Sequence, residues 1–412
     1  MISHRLSSQT TAPAGDTVKV MVVDDSAIIR GFICRYLSED SSIEVVTTAN
    51  NGEVAVRMLK DNPQIEVVLL DIEMPVMDGL TALPKMIELR PDLQVIMAST
   101  LTKRNAEVSL RAMQHGAVDY VPKPETARSV NASIDFRREI VEKVKAWANR
   151  SRKKKGVPEV KDSSTKPAAT NFARPTARPT GFAAPSRPAV KPAVVSSRQT
   201  TEVKSTSSAS AIQLRKAART KPQILAIGSS TGGPQALMKF FKGFKKKPSV
   251  PIVITQHMPA TFTAILATHI GEATGWPSAE AKEGDTLMPG HVYVAPGDWH
   301  MQFVRGDGKV KVTLNQGPQE NFCRPAVDPM YRSLIEIYGD RILGVILTGM
   351  GHDGLKGSRD IVKNGGTVFA QDEASSVVWG MPGAVSTAGL CSKVTPIDEL
   401  GEQAEKQLDG GY

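Results

Sequence analysis

The chain alternates short, nearly unbroken apolar runs with longer stretches of helical spacing. In the first third these runs fall at residues 18–23, 67–70, 95–98 and 118–121, and each ends on polar residues: Asp24 and Asp25, Asp71, Ser99, and Lys123 before Pro124. Ile28, Ile29, Ile33 and Leu37 recur at the three- and four-residue steps of one helix face. Apolar runs of this length suit strands buried on both faces, so the pattern predicts a parallel sheet with helices filling the gaps on either side. A last amphipathic stretch over 127–149, carrying Ile134, Ile140, Val141, Val144 and Trp147, is expected to leave this domain.

The same alternation resumes near residue 220, with strands expected at 223–227, 250–255, 341–347 and 367–370 and short strands or hairpins at 287–296 and 301–314. The first passes through GSSTGGP at 228–234 into helical spacing up to Phe244. The second ends at Gln256 and His257, and the third in TGMGHDG at 348–354. The fold class expected is α/β: two doubly wound parallel-sheet domains joined by a disordered linker. No internal repeat or coiled-coil pattern occurs, and no apolar run reaches the ~18 residues of a membrane span.

Composition changes the picture in one place. The 412 residues carry a net charge of +9, and residues 151–210 hold the whole excess, with 12 Lys and Arg against 3 Asp and Glu. That segment is rich in Pro, Ala, Ser and Thr, with Phe172 and Phe182 as its only aromatics, too little apolar area to offset the entropy of ordering it. It reads as a solvated tether. The three cysteines, Cys34, Cys323 and Cys391, are odd in number and scattered, which argues against a disulfide framework and fits a reducing cytoplasm without membrane insertion.

Candidate chemistry gathers at strand ends. Asp24, Asp25 and Asp71 share the edge where open α/β sheets hold ligands, and oxygen-only donors suit Mg²⁺. Lys123 and the hydroxyl of Ser99 or Thr100 converge there, a place to stabilise a phosphoryl group on a carboxylate. VMVVDD at 20–25, LLDIEMPVMDG at 69–79 and DYVPKP at 119–124 resemble the response-regulator receiver family over residues 17–136. The resemblance implies a flavodoxin-like receiver in which Asp71 accepts the phosphoryl group from a histidine kinase. It also implies that Asp24, Asp25, Asp71 and the Glu73 backbone hold Mg²⁺, and that Lys123 contacts the phosphate ahead of a cis peptide to Pro124. Ser99 takes the hydroxyl role, or Thr100 if the alignment shifts by one, and Tyr120 stands at the aromatic switch position.

In the second half, the turn at 228–233 offers two hydroxyls at the positive end of a helix; it lacks both the GxGxxG spacing and the Lys-Ser/Thr ending of phosphate-binding loops. His257 and Asp353 come from the ends of two further strands, giving nucleophile, base and orienting carboxylate at one sheet edge. IGSSTGGP (227–234), QHMP (256–259), APGDWH (295–300), RPAVDP (324–329), LTGMGHDG (347–354), AQDEAS (370–375) and GMPGA (380–384) resemble the chemotaxis protein-glutamate methylesterase catalytic domain over 220–408. The resemblance implies a Rossmann-like domain with Ser230 as nucleophile, His257 as general base and Asp353 as its orienter. Thr231 assists, and the backbone N–H at Met350 serves the oxyanion; His291, His300 and His352 carry no chemistry.

The organisation expected is a disordered N-terminus over 1–16, a receiver over 17–136, a helix and flexible linker over 137–219, and the catalytic domain over 220–408. The function expected is phosphorylation-regulated hydrolysis of glutamate methyl esters, and deamidation of glutamines, on methyl-accepting chemoreceptors, with no cofactor for the ester chemistry. Two other readings stand beside it. In one, the basic linker binds nucleic acid, although no helix-turn-helix pattern follows it. In the other, the second domain is a binding module that has lost its chemistry.

Overall fold

Five parallel strands build the first sheet of the computed structural model, which describes residues 17–100, 102–123, 134–160 and 212–411. They are β1 (Val18–Val23), β2 (Ile43–Ala49), β3 (Val67–Asp71), β4 (Gln94–Thr100) and β5 (Asp119–Lys123), in the order β2-β1-β3-β4-β5. The helices are α1 (Ala27–Ser38), α2 (Gly52–Asp61), α3 (Gly79–Leu89), α4 (Lys103–Gln114) and α5 (Ile134–Lys155). Ser26, Asn51, Asp78 and Thr102 cap the first four, each side chain accepting a hydrogen bond from a first-turn amide.

Two expectations need correction here. Strand β2 lies where helical patterns were expected to fill the gap. It pairs only with β1, and its middle is half-buried and includes Thr47 and Thr48, so it lacks the unbroken apolar run that marks the inner strands. Helix α5 does not leave the domain. Ile140, Val144, Trp147 and Ala148 bury against Val18, Val20, Val22, Val67 and Leu69 of the sheet, and Trp147 Nε1 donates to Asp119 Oδ2 at 3.0 Å. The apolar face of this helix covers one side of the sheet, so the domain continues to Lys155. The N-terminal segment 1–16, the linker 161–211 and Pro124 lie outside the described residues.

The second sheet has seven parallel strands in the order β14-β13-β12-β6-β7-β9-β8: β6 (Ile224–Ser229), β7 (Ile252–Gln256), β8 (Ser278–Glu280), β9 (Val292–Val294), β12 (Ile342–Ile346), β13 (Thr367–Gln371) and β14 (Lys393–Thr395). A separate antiparallel hairpin, β10 (His300–Gly306) with β11 (Lys309–Asn315), meets the expectation for 301–314. The helices are α6 (Gly233–Lys242), α7 (Phe262–Thr274), α8 (Val327–Tyr338), α9 (Leu355–Lys363), α10 (Gly380–Thr387) and α11 (Ile397–Leu408). Apolar clusters fill both faces of this sheet. Strand order reverses at β6, between β12 and β7, which opens a crevice at their C-terminal ends.

The two domains belong to one compact unit. Tyr120 of β5 stacks on Phe262 of α7 with centroids 4.4 Å apart and planes at 13°. Gln235 Nε2 donates to Ala117 O at 3.1 Å, Arg150 Nη1 donates to Ser375 O at 2.9 Å, and Lys153 pairs with Glu373 at 3.1 Å. Because Trp147 closes the receiver core and satisfies Asp119, Trp147→Ala should destabilise the first domain by about 3–5 kcal/mol. Denaturant unfolding of the first domain checks this; a loss below about 1 kcal/mol would show that α5 is not part of its core.

Candidate active site

The turn after β6 is shaped by its glycine backbone and by the side chains of Gln256 and Thr348 behind it. Gly232 sits at φ +73° and caps α6, a left-handed conformation that glycine adopts without strain. An added Cβ on Gly233 would collide with Gln256 Oε1, and one on Gly349 would lie 2.8 Å from Ser230 Cβ. Ser230 N donates to Thr348 O at 3.0 Å, and Gln256 Nε2 donates to the carbonyls of Ser230 and His257, both at 3.0 Å. Thr348 Oγ1 donates to Thr231 O at 3.0 Å and accepts from Val378 N at 3.0 Å. Ser229 turns inward, its hydroxyl donating to Gln256 Oε1 at 2.6 Å.

His257 follows β7 and presents Nε2 to Asp353 Oδ2 at 2.8 Å. Asp353 is buried in the turn before α9 and is held from all sides. Its Oδ2 also accepts from Val327 N at 2.6 Å, while Oδ1 accepts from Asn321 Nδ2 at 2.8 Å, Gly354 N at 2.9 Å and Asp328 N at 3.2 Å. Burial works to raise the Asp353 pKa, but His257 and these amides outweigh it and hold the carboxyl below its ordinary range. Beside it, Asp328 is raised by burial and by the charge of Asp353. For His257, burial works to lower the pKa, and Cys323 and Asp353 on its two nitrogens more than offset that, raising it.

Ser230, Thr231, His257, Met350 and Asp353 line one cavity of about 380 Å³. The other wall comes from the receiver: Asp119, Tyr120, Arg138, Glu139, Glu142 and Lys143. The structure thus brings the three sequence-predicted residues of the triad together. The direct hydrogen bond from Ser230 to His257 is not made among the described residues. His257 Nδ1 instead faces Cys323 Sγ at 3.3 Å. His300 bonds Pro318 O and Ala326 N through its two nitrogens.

The sequence reading gave no role to Asn321, Gln256, Thr348 or Asp328, and treated Cys323 only as a redox marker. Gln256, Thr348 and Asp328 lie inside the motifs QHMP, LTGMGHDG and RPAVDP, so proximity to the predicted triad was the available signal. Asn321 and Cys323 sit on a loop that no local pattern marks.

At the receiver's edge, Lys123 Nζ pairs with Asp71 Oδ1 at 2.7 Å and Asp24 Oδ2 at 2.9 Å. Carboxylate oxygens of Asp24, Asp25 and Asp71 lie within 4.8 Å of one another, an oxygen-only set that fits a hard divalent cation. Burial raises the Asp71 pKa to about 6, against the pull of Lys123 and with the push of Asp24. Lys123 is raised too, since the two carboxylates outweigh its burial. Glu73 is exposed in the loop after β3. Neither candidate hydroxyl bonds Asp71: Ser99 Oγ pairs with Ser109 Oγ at 2.9 Å, and Thr100 Oγ1 accepts from Asn105 Nδ2 at 2.7 Å. Tyr120 is buried, with the Lys143 ammonium 4.7 Å from its ring centroid, and burial holds its hydroxyl pKa well above the ordinary value.

Residues 20–135 match the response regulator receiver domain family and residues 225–404 the CheB methylesterase family. Fold and site therefore define a response regulator whose output domain is an enzyme. A protein-glutamate methylesterase/protein-glutamine glutaminase 1 of Rhodospirillum rubrum is 51% identical over 397 residues, covering 96% of each chain. A protein of the same name from Paramagnetospirillum magneticum is 50% identical over 398 residues, covering 96% of this chain and 97% of its own. The crystallised catalytic domain of Thermotoga maritima CheB methylesterase is 40% identical, covering 45% of this chain and 99% of its own, with a TM-score of 0.44. The chain belongs to the protein-glutamate methylesterase/protein-glutamine glutaminase family.

Gly349→Ala places a methyl group against Ser230, and a displacement of about 1 Å at a nucleophile costs on the order of 10²-fold in rate. Turnover of a methyl ester should fall by that amount, and because the same methyl meets the buried Met381 Sδ, the second domain should also lose about 1–3 kcal/mol of stability. Wild-type turnover in this variant would show that the packing of the turn does not position Ser230.

Proposed function

We propose that this chain hydrolyses γ-methyl esters of glutamate side chains, and γ-amides of glutamine side chains, on chemoreceptors, and that phosphorylation of Asp71 by a histidine kinase controls access to the site. His257 Nδ1 takes the proton of Ser230 Oγ as the oxygen attacks the γ-carbonyl carbon. Asp353, fixed by backbone amides, keeps Nε2 occupied and stabilises the imidazolium that forms. The oxyanion develops against the Met350 amide and the turn at 228–233, with Thr231 beside it. His257 then gives its proton to the departing methanol. Water attacks the acyl-enzyme with His257 again as base, and glutamate and free Ser230 result. With a glutamine substrate the leaving group is ammonia.

What supports this reading is the meeting of Ser230, His257 and Asp353 in a single cavity whose opposite wall is the receiver. With Tyr120 stacked on Phe262 and α5 lining the cavity, a receptor segment has to compete with the receiver for this space, so the resting chain is held low in activity. Asp24, Asp25, Asp71 and the Glu73 carbonyl would hold Mg²⁺, which neutralises charge on an incoming phosphoryl group; Lys123 contacts that group, with Ser99 as the hydroxyl. A phosphorylated Asp71 changes the charge that Lys123 meets at one end of β5, and the population shifts toward an arrangement in which the other end releases α7. We place the chain in the cytoplasm, where unpaired cysteines stay reduced. Among the described residues no helix is long and apolar enough to cross a membrane.

Methanol release from methylated receptor membranes tests the reading. Release should rise at least several-fold when Mg²⁺ and a small-molecule phosphodonor are added, and Ser230→Ala should abolish it under both conditions. Release that persists in Ser230→Ala would remove the assigned nucleophile. Release indifferent to the phosphodonor would remove the switch.

A further inference from the structure

Both ring nitrogens of His257 are occupied. Nε2 lies 2.8 Å from Asp353 Oδ2 and Nδ1 lies 3.3 Å from Cys323 Sγ. We propose that Cys323 is a positioning residue of the hydrolase: its thiol holds the Nδ1 side of His257 in the resting chain and competes with Ser230 for the only ring nitrogen that Asp353 leaves free. The inference rests on the reading of Ser230 as nucleophile and His257 as base.

The placement of the thiol is over-determined. Glu320 and Cys323 exchange two backbone hydrogen bonds, at 3.1 and 2.9 Å, which close a tight loop. Within it Asn321 and Phe322 stand at φ 52° and 64°, two successive non-glycine residues in the left-handed region, a conformation that persists only where the surroundings enforce it. Glu320 is paired with Arg332 of α8 through both guanidinium nitrogens. Asn321 Nδ2 donates to Asp353 Oδ1 at 2.8 Å and to Asp328 Oδ2 at 3.1 Å. The loop that carries Cys323 is therefore fastened to the same carboxylate that orients His257.

The chemistry of the pair follows from its two groups. A thiol facing the imidazole lone pair donates its proton to Nδ1; if the proton crosses, a thiolate accepts from Nδ1–H. In either state Nδ1 is closed to the Ser230 proton. The receiver also reaches this loop. Phe322, next to Cys323, is 71% exposed, and the Arg138 guanidinium of α5 lies 5.0 Å from its ring centroid. Withdrawal of α5 removes the Arg138 contact at Phe322 and opens the cavity, while the ties to Asp353, Asp328 and Arg332 keep the thiol at Nδ1, so Ser230 has to displace it there.

The test is labelling of the active-site serine in the full chain by a small fluorophosphonate, followed from pH 5 to 9. It reads how available the base is without requiring a receptor. Cys323→Ala should label roughly tenfold faster near neutral pH, with its pH midpoint moved downward because a protonated imidazole is no longer favoured. Cys323→Ser, which restores a hydrogen-bonding group at Nδ1, should stay within about twofold of the wild-type rate. The other charged or titratable groups facing the cavity are unchanged in both variants: Asp119, Tyr120, Arg138, Glu139, Glu142 and Lys143 from the receiver, Arg324 and His352 from the second domain, with Asp328 behind Asp353. A wild-type rate and midpoint in Cys323→Ala would overturn the proposal, as would slower labelling with both variants folded. Labelling that survived Ser230→Ala and vanished in Cys323→Ala would instead overturn the assignment of the nucleophile itself.

Discussion

A single five-residue strand, β5, connects the two chemical centres of this molecule. At its C-terminal end Lys123 bridges the carboxylates of Asp24 and Asp71. At its N-terminal end Tyr120 stacks on Phe262 of the second domain, and Asp119 binds both Trp147 and Lys143 of α5. The strand pairs along its length with β4 and its residues are almost entirely buried, so its two ends share one rigid frame. A change in charge at Asp71 acts on a lysine whose neighbours three residues earlier form the wall of the catalytic cavity. On the proposed reading, this strand is what couples the acidic cluster to the hydrolase cavity.

The second domain uses the same physics for a different end. Parallel strands deliver their C-terminal residues to one edge, and the reversal of strand order at β6 leaves space there. Ser230, His257 and Asp353 come from three different strand ends, and a network of backbone amides, Gln256, Asn321 and Thr348 locks them. Asp353 is the hub of that network. Five hydrogen-bond partners satisfy its buried carboxylate, which keeps it ionised where burial alone would favour the neutral acid.

Strands buried on both faces were the legible part of the fold. Runs such as 67–70 and 342–347 announce themselves because they hold no polar side chain. Strand β2, half-buried at a sheet edge, and the three-residue β8 and β14 lack such a run and were read as something else or not at all. The apolar spacing of α5 was visible, but spacing says only that one face needs covering; that β1 and β3 cover it is a tertiary fact. The triad candidates were legible because strand ends and motifs coincide. Cys323 was not, since its partner lies 66 residues earlier and its loop is held by left-handed residues that leave no periodic trace.

On the proposed reading the receiver covers the catalytic cavity and phosphorylation of Asp71 uncovers it. Hydrogen–deuterium exchange on the full chain, with Mg²⁺ and with or without a small-molecule phosphodonor, tests it most directly. Exchange in α7 and in residues 319–324 should be faster on phosphorylation, with no change in Asp71→Asn. Exchange in both segments that is identical before and after phosphorylation would contradict it.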